Sequence, residues 1–350
     1  MRILFLSDTH LGFDQPVRPR SKRRRRGPDF FANYHRALVP ALRGEVDLLI
    51  HGGDVLYRSK VPPGLVAQVF EPLKRIADQG TPVLVVPGNH ERSKIPYPLL
   101  SAHPNIHIFD QPRTFSFTLN GKTLAVSGFP YAYRVRYAFS SLLEQTGWRQ
   151  TDADIRLLCV HHCIEGATVG PNNYRFSDHA DVIRCADLPT GFAAYLSGHI
   201  HRFQVLETDL AGRPLPAPVL YPGSTERTSF AEKDEPKGHL LLNVDRAAQP
   251  GGRLVDWTFQ QLPARPMFQF QVPVHANLRK TIADILFGLP ADAVVCIRIT
   301  GRPDPKTLTE LQLARQSVAD TMNVEFRLPQ PISRPPRATK PKLEEQLLPF

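Results

Sequence analysis

Cysteine is scarce in this chain of 350 residues: Cys159, Cys163, Cys185 and Cys296 are the four, and no two form a C-x-x-C pair. A thiolate metal site is thereby excluded, and the thiols read mostly as small core residues kept reduced in cytosol. Long apolar runs are missing too, since none reaches the eighteen residues that a membrane-crossing helix needs. Arg2-Ile3 enters the first strand directly, without the charged-then-apolar leader of a signal peptide. Acidic residues are in short supply: 33 Asp and Glu face 43 Lys and Arg, a net charge of +10 with a sequence pI of about 9.6. Such a balance favours a polyanionic partner through phosphate contacts and counterion release. At 42 % hydrophobic the chain can bury a large core and suits two domains rather than one. The expectation is a cytoplasmic enzyme with no membrane association.

Five short polar segments spread over two hundred residues stand out against this background: Asp8-Thr9-His10, Gly53-Asp54, Gly88-Asn89-His90-Glu91, His161-His162 and Gly198-His199-Ile200-His201. The first four each follow an apolar run that reads as a buried strand, and the fifth follows a weaker one, Ala193-Ala194-Tyr195-Leu196-Ser197. Open α/β sheets place their chemistry at the C-terminal ends of strands. Carboxylate, imidazole and amide oxygen suit borderline or hard divalent ions such as Mn²⁺, Zn²⁺ or Fe²⁺. One carboxylate touching both of two cations about 3.5–4 Å apart lets them activate water and clamp the attacking and leaving oxygens of a phosphoester. Asp54 is the natural bridge. A lone histidine at a strand end is more often structural, and His35, His51, His103, His107, His179, His239 and His275 read so. His162 is an alternative to His161 as a ligand.

The ordered set of motifs resembles the calcineurin-like metallophosphoesterases. The stretches Asp8-Thr9-His10-Leu11-Gly12, His51-Gly52-Gly53-Asp54-Val55-Leu56-Tyr57-Arg58-Ser59 and Tyr221-Pro222-Gly223-Ser224-Thr225-Glu226-Arg227 resemble the SbcD-type branch of DNA double-strand-break repair nucleases. The resemblance runs from Met1 to about Leu328. It implies Asp8, His10, Asp54 and His201 as ligands of one metal, and Asp54, Asn89, His161 and His199 as ligands of the other. It also implies His90 as the histidine that faces the scissile phosphate, Mn²⁺ as the activating ion, a homodimer and an ATP-driven coiled-coil partner of SbcC type. Two positions depart from the pattern. Some relatives carry a second phosphate-facing histidine where this chain has Tyr57, a phenol that can donate a hydrogen bond in place of an imidazole. Glu91 stands where Asp is usual, still able to orient a histidine from behind the ligands.

The fold implied is α/β, a two-sheet metallophosphoesterase sandwich flanked by helices, over residues 1–262. A small α+β capping domain follows at 263–328, with a Pro-rich tail at 329–350. Helical spacing of Phe30, Phe31, Tyr34, Leu38 and Leu42 predicts one helix from about Asp29, and Leu65, Val66, Val69, Phe70, Leu73 and Ile76 predict a second over 62–79. The second helix serves either to pack on the sheet or to form a dimer. Asn120-Gly121 predicts a two-residue hairpin, its strands belonging to the second sheet, and residues 215–262 look similar. The small domain reads as β-α-β-α-β, with strands at 268–272, 293–300 and 324–328 and helices at 277–287 and 306–322.

Arg18, Arg20, Lys22, Arg23, Arg24, Arg25 and Arg26 fall within nine residues just after the first metal segment. A run of this kind is usually a solvated loop, but its position beside Asp8 and His10 points Arg23, Arg24, Arg25 and Arg26 to a nucleic-acid backbone. Tyr57 and Arg227 join them as candidate substrate contacts, the latter from a turn that is either plain or phosphate-facing. The expected activity is two-metal hydrolysis of DNA phosphodiesters, as exonuclease or endonuclease, in repair or recombination. The alternatives are a phosphodiesterase or phosphatase for small nucleotides, and a DNA-end-binding subunit with secondary catalysis.

Overall fold

The strand β1 (Arg2–Leu6) enters the middle of a six-stranded sheet, and everything in it from Ile3 onward is buried. Ile3 and Phe5 point to one face and Leu4 and Leu6 to the other, as a strand's two-residue period requires. Both faces are covered, which is why this run is apolar throughout rather than alternating. Helix α1 (Gly27–Leu42) leads to β2 (Leu48–His51), and α2 (Pro63–Asp78) leads to β3 (Val83–Val85). These strands pair in parallel, with β4 (Ile106–Ile108) at the edge. Phe30, Tyr34 and Leu38 of α1 and Leu65, Val69, Phe70 and Leu73 of α2 pack on the Leu4 and Leu6 side. The apolar face of α2 is thus taken up by its own sheet. The structure, a computed structural model, describes residues 1–14, 25–91 and 102–329.

A hairpin of β5 (Arg113–Leu119) and β6 (Lys122–Gly128) opens the second sheet, and Asn120 and Gly121 take the positive φ values, 51° and 70°, of a tight reversal. Helix α3 (Val135–Gln145), unforeseen in the sequence reading, precedes β7 (Ile155–Val160). Four two-residue strands follow: β8 (Cys163–Ile164), β9 (Thr168–Val169), β10 (Tyr174–Arg175) and β11 (Val182–Ile183). Next come β12 (Ala194–Ser197), β13 (Gln204–Thr208) and β14 (Pro214–Tyr221), giving a sheet ordered β13-β14-β12-β7-β6-β5. Its outer face packs on Phe139 and Leu143 of α3.

Residues 215–262 do not all follow the hairpin into this sheet. Only β14 does; β15 (Lys237–Asp245) and β16 (Arg253–Leu262) return to the first sheet, β15 antiparallel to β1. The reason lies in Leu240 and Leu242, which face inward beside Ile3 and Phe5 and would be stranded elsewhere. Between the sheets lie Ile3, Phe5, Ile50, Leu84, Val126, Leu157, Leu196 and Leu220, so the order of layers is helix, sheet, sheet, helix.

The chain divides into two compact units after Met267, five residues past the expected boundary. Asn33 donates to Pro263 O at 2.9 Å and Arg265 pairs with buried Asp29 at 3.1 Å, which keeps 263–267 with the larger unit. The smaller unit holds, from Phe268 on, the strand β17 (Met267–Pro273), then α4 (Leu278–Phe287), β18 (Val294–Thr300), α5 (Pro305–Gln316) and β19 (Asn323–Arg327) around Val272, Ile282, Val295, Ile297 and Leu311. Helix α5 begins at an Asp304 cap that accepts from Thr307 N at 2.7 Å. It ends at Gln316 rather than Met322, because Ser317 turns back to donate to Ala314 O at 2.8 Å. Among the described residues no helix is long and apolar enough to cross a membrane. The tail from residue 330 lies outside the described residues.

Ile50, fully buried between the sheets, is the position at which to test this packing. Ile50→Ala is expected to cost about 2–5 kcal/mol of stability through lost burial plus a cavity, measured as a shift of the urea unfolding midpoint.

Candidate metal centre

Four residues that close the strands onto the site have left-handed backbones: Asp8 (φ 52°), His10 (φ 44°), Asp54 (φ 51°) and His199 (φ 79°). Such conformations cost energy in non-glycine residues and persist only where the surroundings fix them. Here main-chain bonds do so: Asp8 N donates to Gly53 O at 2.9 Å, His10 N to Asp54 O at 3.0 Å and Leu11 N to Val55 O at 2.9 Å. The loops after β1 and β2 therefore stay paired beyond the strand ends, and each reversal turns its side chain toward one point.

The seven residues expected as ligands come together there. His10 Nε2 and His201 Nε2 are 2.9 Å apart, with Asp8 Oδ1 4.0 Å from the first and 3.7 Å from the second. On the other side, Asn89 Oδ1 lies 3.2 Å from His161 Nε2 and 3.0 Å from His199 Nδ1. Asp54 Oδ2 sits between the groups, 3.3 Å from His161 Nε2 and 4.0 Å from His10 Nε2. That is where a bridging carboxylate belongs. Two imidazole nitrogens converging at 2.9 Å, and two more on one amide oxygen, are donors aimed at a shared acceptor of electron pairs. The residues fit a pair of divalent cations.

The atoms behind these donors fix their orientation. His161 Nδ1–H donates to Gly52 O at 2.7 Å, which turns Nε2 to the centre. His201 does the same through Glu232, whose Oε1 is 3.2 Å from Nδ1. Glu232 in turn meets fully buried Lys237 at 2.8 Å, and Lys237 also donates to His201 O at 2.8 Å. Sequence reasoning missed both, because they lie thirty residues downstream in no motif; the one available signal is a lysine inside an apolar strand. Glu91 departs from its expected role. Its carboxylate orients no histidine but accepts the N–H groups of Gly88 (2.7 Å), Leu56 (2.9 Å) and Asp54 (3.1 Å), so it holds the turn that presents Asp54 to the cluster. His51 packs beneath, taking Gly53 N–H at 3.2 Å and lying 3.1 Å from Thr9 Oγ1. His162 points away from the donors, stacked on Tyr131, and accepts from Ala132 N at 3.2 Å.

Burial works against charge on His161, but Asp54 and Asp8 outweigh it and raise the imidazole to about 9. His199, buried and facing the His161 charge, is pushed down to about 3. Burial followed by the Asp54 charge raises Glu91 to about 8. Asp54 is held well below the usual carboxylate range, its histidine neighbours overcoming desolvation.

His90 stands at the mouth of the cluster with its side chain 33 % exposed. Its Nδ1–H donates to Tyr57 O at 2.6 Å, leaving Nε2 3.8 Å from Asp54 Oδ2. The Tyr57 ring lies 5.9 Å from His10 and 5.8 Å from His90, beside the opening. Of the basic run, Arg23 and Arg24 lie outside the described residues. Arg25 pairs with Asp14 at 2.5 Å. Arg26 donates to Arg227 O, lies 3.7 Å from Glu226 and covers the Phe13 ring at 5.2 Å. Arg227 spends its guanidinium on the main-chain oxygens of Glu235 and Arg265, at 3.1–3.2 Å, and so ties its own loop. Gly223 gives the turn expected there, with φ 74°.

The calcineurin-like phosphoesterase family matches residues 1–203. The DNA double-strand break repair protein Mre11 of Haloferax volcanii is 27 % identical over 315 residues, covering 87 % of this chain and 63 % of its own length. The uncharacterized metallophosphoesterase YhaO of Bacillus subtilis is 29 % identical over 222 residues, covering 61 % of this chain and 49 % of its own. The chain thus spans about half to two thirds of the length of these relatives. Among solved structures, the protein TT1561 of Thermus thermophilus aligns over 69 % of this chain and 93 % of its own with a TM-score of 0.44 and 13 % identity.

Removing the carboxylate behind His201 tests the outer layer of the site. Glu232→Gln is expected to weaken Mn²⁺ binding about 10- to 100-fold, read by calorimetric titration, with far-ultraviolet circular dichroism unchanged.

Proposed function

From a chain that belongs to the calcineurin-like phosphoesterases, a family with a dimetal centre, we propose a Mn²⁺-dependent DNA phosphodiesterase, a nuclease of the SbcD type acting in repair or recombination. The observation that carries the reading is the cluster of seven donor residues, Asp54 and six around it, with one solvent-facing histidine, His90, at its mouth. Likeness to Mre11 over 87 % of the chain and the net charge of +10 favour a nucleic-acid substrate over a small nucleotide.

Asp8, His10, Asp54 and His201 would hold one cation and Asp54, Asn89, His161 and His199 the other. When bound, such a pair supplies Lewis acidity toward a phosphoester and charge to offset its developing negative charge. The chain's own residues do the rest. His161 and His201 keep their metal-facing nitrogens aimed through Gly52 O and Glu232. His90 presents Nε2 beside Asp54, where a leaving oxygen can take a proton from it. Tyr57 walls the same side and fixes His90 through its carbonyl.

Asp14 accepts from Arg25 Nε, Arg26 N and Gly27 N at 2.8–3.0 Å, so the residues on either side of the basic run meet next to the metal loop. Arg25 and Arg26 anchor it, and contact with the phosphate backbone falls to Arg23 and Arg24. The proposal extends to an SbcC-type ATPase partner, a homodimer and a nucleic-acid-selecting role for the smaller unit.

Asp54→Asn is expected to abolish hydrolysis of both linear DNA and bis(p-nitrophenyl) phosphate while the protein stays folded; near-normal turnover with Mn²⁺ supplied would refute the two-metal assignment. His90→Gln is expected to keep its bound metal and lose about 10²–10⁴-fold in rate. Metal content near zero in that variant would make His90 a ligand instead. Changing Arg23 and Arg24 to Ser is expected to flatten the slope of log affinity for duplex DNA against log salt by about one to two units, at about 0.9 per phosphate contact. An unchanged slope with full DNA cleavage would move weight to a small-phosphodiester substrate.

A further inference from the structure

The loop after β2 brings a cation to the mouth of the metal centre that the seven donors leave unused. Tyr57 N donates to Leu11 O at 2.9 Å, in the loop after β1, and Tyr57 O accepts His90 Nδ1–H at 2.6 Å. The Tyr57 ring meets Phe13 edge-on at 4.9 Å and lies 5.8 Å from the His90 ring. Arg58 follows directly. It is exposed, and its guanidinium carbon lies over the Tyr57 ring, 5.5 Å from the centroid. Val61, three residues on, packs against the apolar cluster that includes Leu11 and Leu65. The short segment is thus tied at both ends, and Arg58 stands on a fixed base next to the residue that holds His90.

Its charge sets Arg58 apart from the other arginines described near the centre. Arg25 pairs with Asp14, Arg26 lies against Glu226, Arg202 meets Glu235, and Arg227 donates to main-chain oxygens. Among the described residues no carboxylate pairs with Arg58. The acids of the adjoining turns face inward, Asp54 to the histidines and Glu91 to three N–H groups. What Arg58 does touch is a ring, and a guanidinium laid on a ring keeps its planar fork pre-organised while its N–H edges stay open. That fork matches two oxygens of one phosphate. An unmatched cation held beside a phosphoester site, on the side of its solvent-facing histidine, has an anion as its natural complement.

We propose that Arg58 binds the phosphate next to the scissile one, on the leaving-group side of the strand. This rests on the nuclease reading given above and deepens it. In that reading water forms the new bond to phosphorus, the ester bond opposite breaks, and the departing oxygen takes its proton from His90 Nε2. The strand attached to that oxygen therefore continues along the His90 side, where Tyr57 and then Arg58 stand, and its first phosphate beyond the cut meets the guanidinium. Such a contact reads no base; it fixes the register of the backbone on the metal centre. A small diester or a cyclic nucleotide has no second phosphate and forgoes it. Arg58 in this way makes the site favour a strand over a single phosphoester.

The test uses the full chain with Mn²⁺, the variants Arg58→Ala and Arg58→Lys, and a single-stranded oligonucleotide whose first cut has been mapped. The fragment that ends in a free hydroxyl at the cut is the leaving side. Two further oligonucleotides carry a neutral methylphosphonate in place of the next phosphate, one on the leaving side and one on the other. The readout is kcat/KM on the native strand divided by kcat/KM on each neutral one, taken within each variant so that any general change in the metal centre cancels. For the leaving-side link, Arg58→Ala is expected to lower the wild-type ratio about tenfold, the low end for a hydrogen bond to a charged group. Arg58→Lys, which keeps the charge and loses the fork, is expected to fall between. For the link on the other side the ratio is expected to be the same in all three proteins. In EDTA, where no strand is cut, Arg58→Ala is expected to flatten the slope of log affinity for the single strand against log salt by about 0.7. A leaving-side ratio in Arg58→Ala equal to that of the wild type overturns the proposal, even where activity falls, because Arg58 then acts only on the fold of its loop. An equal fall for links on both sides overturns it too. Wild-type cleavage of bis(p-nitrophenyl) phosphate with no cleavage of any oligonucleotide overturns the nuclease reading and this inference with it.

Discussion

The contact between His161 and the turn of Gly52, Gly53 and Asp54 joins the two sheets at the level of the metal donors. His161 comes from the second sheet and the turn from the first, yet the imidazole donates to Gly52 O at 2.7 Å and meets Asp54 Oδ2 at 3.3 Å. So close an approach needs backbone without side chain on both sides. A Cβ on Gly53, whose φ is 108°, would overlap the His161 ring, and one on Gly198 would overlap both that ring and Gly52 O. The apolar layer beneath, with Phe5, Ile50, Leu157 and Leu196 interdigitated, sets the height at which the strands of the two sheets end. Distances of 3–4 Å among donors from five loops follow from that packing.

The seven clustered side chains were legible because chemistry and fold coincide in them: a D-x-H, G-D or G-N-H fragment directly after a buried apolar run is both a strand end and a set of N and O donors. The helices α1 and α2 were legible for the related reason that one face of each is apolar at helical spacing. What could not be read was set by partners distant in sequence. Glu232 and Lys237 matter only through His201, some thirty residues away. The pairing of β15 with β1 spans nearly the whole of the larger unit, and its strands carry the same short-strand signature as those of the other sheet. Glu91 was seen as a carboxylate near the site, but its three main-chain donors come from two loops that only folding brings together. The basic run was read as one cationic surface, whereas Arg25 and Arg26 spend their charge on Asp14 and Glu226.

The composition of the donor set bears on what the centre attracts. Among seven donors only Asp8 and Asp54 carry negative charge when the histidines are neutral, so a pair of dications held there keeps an excess of positive charge. A phosphoester anion is the fitting complement. Among the described residues beside His201, Lys237 lies against Glu232 and Glu235 and Arg202 against Glu235.

Asp14 gathers both ends of the segment between it and Arg25 with one carboxylate, through Arg25, Arg26 N and Gly27 N. Chain inserted or deleted between two pinned ends changes the closure entropy only slowly, by about 0.6 kcal/mol for each doubling of length. The register of β1 and α1 is fixed outside that closure, so neither Asp8 nor His10 need shift when it is lengthened, shortened or recharged. The length and charge between Asp14 and Arg25 can in this way drift among descendants of the sequence while the clustered donors stay in place.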